Sequence, residues 1–174
     1  MNDAELAARE HENLIASLAI AAAEIAGAVV RRTDGVALVA TGLALPTLNQ
    51  VLVEGADARP AAISAAVDAR RRRGDPFVVS LRSATDDRFV PLMADLGLVP
   101  MSEGPTMPGM ALYPIPGQAP QALAGHAIRR VTDREGLEDH VRAAVAGFSM
   151  DEATIRAFMG PWLLDRPEAG VYVG

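Results

Sequence analysis

The chain has 174 residues, half of them hydrophobic, so it is long enough to bury a domain-sized core. It has no cysteine, which excludes disulfides, thiolate metal sites and cysteine nucleophiles. Its net charge of −6 argues against nucleic acid as the main partner.

Nothing near the start of the chain indicates export or membrane insertion. The apolar stretch Leu14–Val30 contains Glu24, and acidic residues precede it. A signal peptide would begin with basic residues, and a spanning helix needs about 20 apolar residues. The sequence therefore predicts a cytoplasmic protein without a membrane partner. Because its three histidines are far apart and lack metal-ligand spacing, no metal site is predicted.

The first half of the chain begins with a helical pattern and continues with strand patterns. Apolar residues at three- and four-residue spacing predict a helix over Asp3–Gly27, capped by Asn2 or Asp3. Asp34-Gly35 is a turn signal, and it precedes predicted strands at Val36–Leu43 and Leu48–Val53. An antiparallel meander is therefore predicted within residues 29–53.

A helix is predicted over Pro60–Arg73, with proline at its start and Gly74 after its end. Its apolar stripe runs into Arg70, the first of four consecutive arginines, so a short buried face is expected. The arginine run is interpreted as a solvated helix end that complements the helix dipole. A phosphate or nucleic-acid patch is the alternative.

Further elements follow on both sides of a predicted linker. The run Phe77–Leu81 predicts a central strand buried on both faces. The linker, Pro116–Gly125, is rich in proline, glycine, glutamine and alanine, and it separates residues 1–115 from residues 126–174. The remaining predicted helices are Asp86–Leu96, Thr132 or Asp133 to Gly147, and Ser149 or Met150 to Met159. The remaining predicted strands are Leu98–Met101, Met110–Ile115, Ala127–Val131 and Val171–Val173.

Four stretches, in this order, resemble the GNAT superfamily of acyl-CoA-dependent N-acyltransferases. They are RRTDGVALVATGLALPTLNQVLV (31–53), RRRGDPFVVSLR (71–82), ADLGLVPMSEGPTMPGMAL (94–112) and IRRVTDREGLEDHVRAAVAGFSM (128–150). The chain is similar to a bacterial tandem form, with a degenerate GNAT-like half at 1–115 and the start of a second repeat at 126–174. The resemblance implies a mixed α/β fold, with a mostly antiparallel central sheet of about six or seven strands flanked by helices.

The resemblance also implies acetyl-CoA as the cofactor, held by a Gln/Arg-x-x-Gly-x-Gly/Ala loop between a strand and a helix. In the first half that loop corresponds to Asp57–Ile63, with Arg59, Ala61 and Ala62 as candidate cofactor-binding residues. An ordinary strand-to-helix loop is the competing interpretation, since the glycines are absent and proline removes one N–H from the first turn. The literal motif match at residues 32–37 opens a strand and is interpreted as a hairpin turn. The cofactor loop of the second repeat is expected beyond the end of the chain.

By the same resemblance, the acceptor is a small-molecule or peptide amine bound by the second repeat. Candidate substrate-binding residues are Phe148, Met150, Trp162 and Tyr172, although core packing is the competing interpretation for Phe148 and Met150. No catalytic residue is transferred.

Two functions remain open. In the first, an amine attacks the acyl thioester while backbone N–H groups hold the oxyanion. In the second, the chain is a catalytically inactive GNAT-like module that binds a partner or forms a homodimer through the strand edge at Val171–Val173. If the strands of the second repeat cannot complete their own sheet, they are expected to join the first.

Overall fold

The computed structural model describes residues 2–101, 114, 125, 127–167 and 169–174. The chain divides into two compact units, residues 1–113 and 114–174. The predicted strand at 110–115 and the predicted linker at 116–125 lie almost entirely outside the described residues. The architecture is mixed α and β, as predicted.

Helix α1, Asp3–Ala23, opens the first unit. Asn2 caps it through a reciprocal pair of hydrogen bonds: the Glu5 N–H donates to Asn2 Oδ1, and the Asn2 N–H donates to Glu5 Oε2, each at 2.9 Å. The helix ends four residues earlier than predicted. No helix in the described part of the chain is long and apolar enough to cross a membrane.

A four-stranded sheet forms the centre of the first unit, in the order β1-β2-β3-β4. Its strands are β1 (Val29–Thr33), β2 (Val36–Ala40), β3 (Asn49–Val53) and β4 (Val78–Ser80). The first three are antiparallel, which confirms the predicted meander, and β4 runs parallel to β3. The prediction that β4 is central and buried on both faces is wrong: it is half-buried and ends the sheet formed by the described residues.

The turn between β1 and β2 is a tight hairpin. Asp34 and Gly35 have φ values of 48° and 76°, as a type I′ turn requires. The motif match at residues 32–37 is therefore a strand-to-strand turn, as interpreted from the sequence.

Helix α2, Pro60–Arg73, has the predicted bounds, and Gly74 closes it at φ 80°. The prediction of a short buried face is wrong, because the stripe of Ile63 and Val67 continues through Arg70, which is also buried. Arg73 is likewise engaged: its Nη2 donates to the Gly27 carbonyl at 2.9 Å. The arginine run is therefore only partly a solvated helix end.

The rest of the first unit covers the sheet. A 3-10 turn at Asp87–Phe89 leads into helix α3, Val90–Asp95. The strand predicted at Leu98–Met101 is absent there, and this stretch is irregular. Pro100 has no backbone N–H to donate to a neighbouring strand, which disfavours strand pairing at this position. One cluster of buried core residues consists of Val36, Leu38, Val51, Val53, Ala58, Ile63, Val67 and Phe89.

The second unit contains two strands and two helices: β5 (Arg129–Arg130), α4 (Arg134–Phe148), α5 (Glu152–Phe158) and β6 (Tyr172–Val173). Asp133, one of the two predicted caps, caps α4. Asp151, rather than Ser149 or Met150, caps α5, because Ser149 ends α4 in the left-handed conformation at φ 51°. Strands β5 and β6 pair with each other in a two-stranded sheet of their own, so the condition under which they were expected to join the first sheet does not arise.

Candidate functional site

Polar side chains gather where the parallel strands β3 and β4 end, the place where open sheets commonly bind ligands. Strand pairing stops at Leu52 and Ser80. The next carbonyl, that of Val53, accepts a 2.7 Å hydrogen bond from His11 Nε2. Since a carbonyl can only accept, Nε2 carries the proton. Buried His11 thus provides the hydrogen-bond donor for the Val53 carbonyl, where a neighbouring strand no longer provides one.

Asp86 lies near this position and is fully buried. Its carboxylate accepts three hydrogen bonds from Arg82: from the backbone N–H at 2.9 Å, from Nε at 2.8 Å and from Nη2 at 3.0 Å. Burial alone would raise the pKa of Asp86, but these bonds outweigh it and lower the pKa below its ordinary value, with a smaller contribution from His11. The carboxylate is therefore ionised, and its hydrogen bonds stabilise the loop between Arg82 and Asp86. This suits a structural role better than proton transfer.

The loop between β3 and α2 is fastened to the β1–β2 turn. The Glu54 N–H donates to the Gly35 carbonyl at 2.8 Å, and the Arg59 N–H donates to the Asp34 carbonyl at 3.2 Å. A Cβ on Gly35 would lie 2.7 Å from the Ala58 backbone, so only glycine permits this approach. The hairpin turn and the loop thus interlock through backbone atoms.

This arrangement determines what the predicted cofactor residues can offer. Arg59, Ala61 and Ala62 stand at the start of α2, with Arg59 and Ala61 exposed. The Ala62 N–H donates to the Arg59 carbonyl at 3.0 Å, and Pro60 has no N–H. Within this first turn only Ala61 is left to donate to a ligand.

The charge on the loop is also unfavourable for a diphosphate. The Asp57 carboxylate stands 2.9 Å from the position that a Cβ on Gly55 would take, so it lies close to the loop at Gly55. A helix N-terminus binds phosphate through several converging N–H groups and a positive field. A single N–H does not provide these. The residues of this loop therefore do not fit the pyrophosphate of acetyl-CoA.

The four predicted substrate-binding residues lie in different surroundings within the second unit. Phe148 is 69% exposed at the end of α4, whereas Met150 packs on a small core. Trp162 lies in a 3-10 helix at Pro161–Asp165, where its indole approaches Gly160. Tyr172 is exposed on β6 and its ring lies against Gly170. The acceptor pocket thus stays a prediction, and for Met150 core packing is the observed environment.

The second unit contains an open cavity of about 320 Å³ that none of these four residues lines. Arg129, Asp139 and Arg142 form its polar wall, and Ala127, Ala143 and Val173 are among its apolar lining residues. Both arginines contact the Asp139 carboxylate, one at each oxygen. The cavity therefore presents two guanidinium groups that are both paired with the Asp139 carboxylate, and Gly174 also lines it.

Several of these residues were not predicted from the sequence as site residues. Arg82 and Asp86 have the four-residue spacing of an ion pair, which could have indicated them. His11 gave no such signal, because its partner is a carbonyl distant in sequence. In the parts of the chain that the structure describes, no group of three or more histidine, aspartate or glutamate residues is placed to hold a metal ion.

Comparison with known proteins gives no match: no protein-family model, no curated protein and no solved structure matches the chain.

Proposed function

We propose that the chain is part of a GNAT-type N-acyltransferase in which the first unit is a non-catalytic half and the second unit begins an acceptor-binding repeat. The observation that carries this proposal is the order of elements. Two antiparallel strands, a helix, a parallel strand and a helix follow Asp34, and a strand, two helices and a strand make up the second unit. This is the order that the GNAT resemblance implies, and in this proposal the sheet of the complete fold has six or seven strands.

The closed loop before α2 supports the non-catalytic role of the first unit. Its donors are used within the protein, since the Arg59 N–H bonds to Asp34 and the Ala62 N–H bonds to Arg59. Acetyl-CoA, the acyl donor in this proposal, would have its pyrophosphate held elsewhere. The acceptor would be a small-molecule or peptide amine.

Isothermal titration of the chain with acetyl-CoA, and separately with coenzyme A, tests the role of the first unit. We expect no saturable binding below millimolar concentration. Arg59→Gln removes the one cation among the predicted cofactor residues, and Arg72→Gln, at an exposed position on α2, is the matched control. Micromolar binding that Arg59→Gln abolishes and Arg72→Gln retains would show that the loop works as a cofactor site and would overturn the non-catalytic assignment.

A second candidate function is an inactive module that forms a homodimer, and exposed apolar residues of the second unit favour it. Ile128 is 80% exposed and Tyr172 is 56% exposed. The edge of β6 is partly occupied, however, because the Tyr172 carbonyl accepts a 2.9 Å hydrogen bond from His140 Nδ1. Light scattering after gel filtration distinguishes the two candidates. A dimer dispersed by Tyr172→Ser would support the module, and a monomer at 100 μM, an order-of-magnitude test concentration, would exclude it.

A further inference from the structure

The arginine pair in the cavity of the second unit suggests a ligand chemistry outside the acyltransfer proposal. We propose that this cavity binds a small oxyanion, a phosphate or a carboxylate group, through Arg129 and Arg142. The two guanidinium groups share a single carboxylate, Asp139, and each contacts it through one terminal nitrogen, so both groups keep further N–H donors. Arginine carries five N–H donors in a planar fork that suits oxyanions.

Arg129 is held in position before any ligand arrives. One terminal nitrogen contacts Asp139. The other lies over the first turn of α4, where a Cβ on Gly136 would stand only 2.8 Å from Nη1. Glycine at that position leaves room for the guanidinium to lie against the helix, and a fixed donor loses less entropy when it binds a ligand.

The cavity also leaves these donors accessible. The side chain of Arg129 is 51% exposed and that of Arg142 is 71% exposed. Ala127 and Ala143, two small residues, line the same cavity and leave space beside the guanidinium groups. Among the described residues, Asp139 is the carboxylate that contacts both arginines, so it competes with an incoming anion for them.

Titration of the chain with inorganic phosphate, and separately with acetate, at constant ionic strength tests this site. Backbone amide shifts in NMR spectra locate the binding. We expect saturable binding that perturbs residues around Arg129 and Arg142. Stronger binding of phosphate would identify a phosphate-bearing ligand, and stronger binding of acetate would identify a carboxylate.

Three variants make the test specific. Arg142→Gln should weaken binding about tenfold, as expected for the loss of one charge-assisted contact. Arg130→Gln removes the same charge from a neighbouring exposed residue that does not line the cavity, and should change affinity less than about twofold. Asp139→Asn keeps a carbonyl oxygen that can accept from the two guanidinium groups but removes the competing negative charge, so it should tighten binding.

Two outcomes would overturn the proposal. One is the absence of saturable shifts for either anion up to about 50 mM, well above the range that a two-arginine site should reach. The other is an equal loss of affinity in Arg130→Gln and Arg142→Gln, which would indicate general attraction to positive charge. Because the readout does not involve acetyl-CoA, either result leaves the acyltransfer proposal to its own experiment.

Discussion

The two units of this chain are stabilised in different ways. In the first, the sheet and α2 enclose fully buried residues such as Val51, Val53, Ile63 and Val67. In the second, the described buried apolar residues are fewer: Val131, Leu137, Val141, Ala144 and Ile155, with partly buried methionines packed against the last three. Burial of apolar surface is the dominant favourable term in folding. Among the described residues, the first unit therefore has more buried apolar side chains than the second, and we expect a larger contribution of burial to its stability.

The ion pairs of the two units also differ in burial, and the first unit again has the more buried groups. Asp86 and Arg70 in the first unit are each 1% exposed at the side chain. In the second unit the described ion pairs, such as Arg156 with Glu138, have both side chains at least 30% exposed. Exposed pairs contribute little, whereas a buried charge has large effects in either direction. Substitutions of charged residues should therefore matter more in the first unit.

The largest effect is expected from matched truncations in the two cores. Ile63→Ala should reduce the free energy of unfolding by about 2–5 kcal/mol, at the high end because rigid strands surround the cavity. Ile155→Ala should fall at the low end, because Met150 and Met159 can adapt to fill the space. Denaturant titration followed by circular dichroism measures both. Trp162, the only tryptophan, reports on the second unit by fluorescence. Equal losses would contradict the proposed difference between the units.

The next effect concerns the buried carboxylate. Asp86→Asn should cost about 3 kcal/mol, because it leaves the Arg82 guanidinium without its charged partner in a largely buried place. Arg82 is 24% exposed and can recover part of this through water. Asp87→Asn, at an exposed neighbouring position that accepts a hydrogen bond from the Ala84 N–H, is the control and should cost much less. Similar losses in the two variants would show that the buried Arg82–Asp86 pair contributes no more to stability than the exposed Asp87 side chain.

The same carboxylate predicts acid sensitivity. The folded pKa of Asp86 is lowered, because hydrogen bonds from Arg82 outweigh the effect of burial. An unfolded aspartate titrates near about pH 3.9. The contribution of Asp86 is therefore fully present above that pH and is lost as the pH falls through the lower, folded value. Thermal melts between pH 7 and pH 2 should show Asp86→Asn losing less stability with acid than the unaltered chain. If the melting temperatures of the two proteins fell equally with pH, the acid sensitivity would belong to other groups.

Arg70 is a buried charge of the first unit whose removal should have the opposite effect on stability. Its guanidinium is buried, Nη2 lies 3.3 Å from Asp75, and Nε and Nη1 have no hydrogen-bond partner among the described residues. Burial lowers the pKa of Arg70, while Asp75 opposes the shift. Because desolvation of this charge is poorly compensated, Arg70→Met should leave stability unchanged or raise it by about 1 kcal/mol or more. Arg72→Met, at an exposed position, is the control. A clear destabilisation would mean that Asp75 and the Phe77 ring, whose centroid lies 6.0 Å from the Arg70 guanidinium carbon, compensate the burial of this charge.

Patterns that depend on local chemistry were predicted from the sequence. The meander, the bounds of α2, the Asp133 cap and the Asp34-Gly35 turn all follow from propensities within a few residues. The buried position of Arg70 was missed because the sequence pattern assigned every arginine to solvent, although its place on the stripe of Ile63 and Val67 made it a continuation of the buried face.

The candidate site was less predictable, because its contacts join residues far apart in sequence. His11 reaches Val53 across 42 residues, and the Arg59 N–H bonds to a turn 25 positions earlier. Composition identified the missing glycines near Arg59, but only the backbone geometry explains how the loop uses its donors. The pairing of β5 with β6 was likewise outside local reasoning, because strand partners are selected by tertiary contacts.

The smallest effect is expected at the surface of the second unit. Arg156 donates to both oxygens of Glu138, at 2.8 and 2.6 Å, and also to Glu152 at 2.7 Å. The Arg156 hydrogen bond is the main cause that lowers the pKa of Glu138, yet the pair is exposed and screened by water. Glu138→Gln should therefore lower the melting temperature only slightly, and the difference should disappear in about 1 M NaCl, where the Debye length falls to about 3 Å. A large, salt-independent loss would mean that this network, rather than the core around Ile155, holds the second unit together.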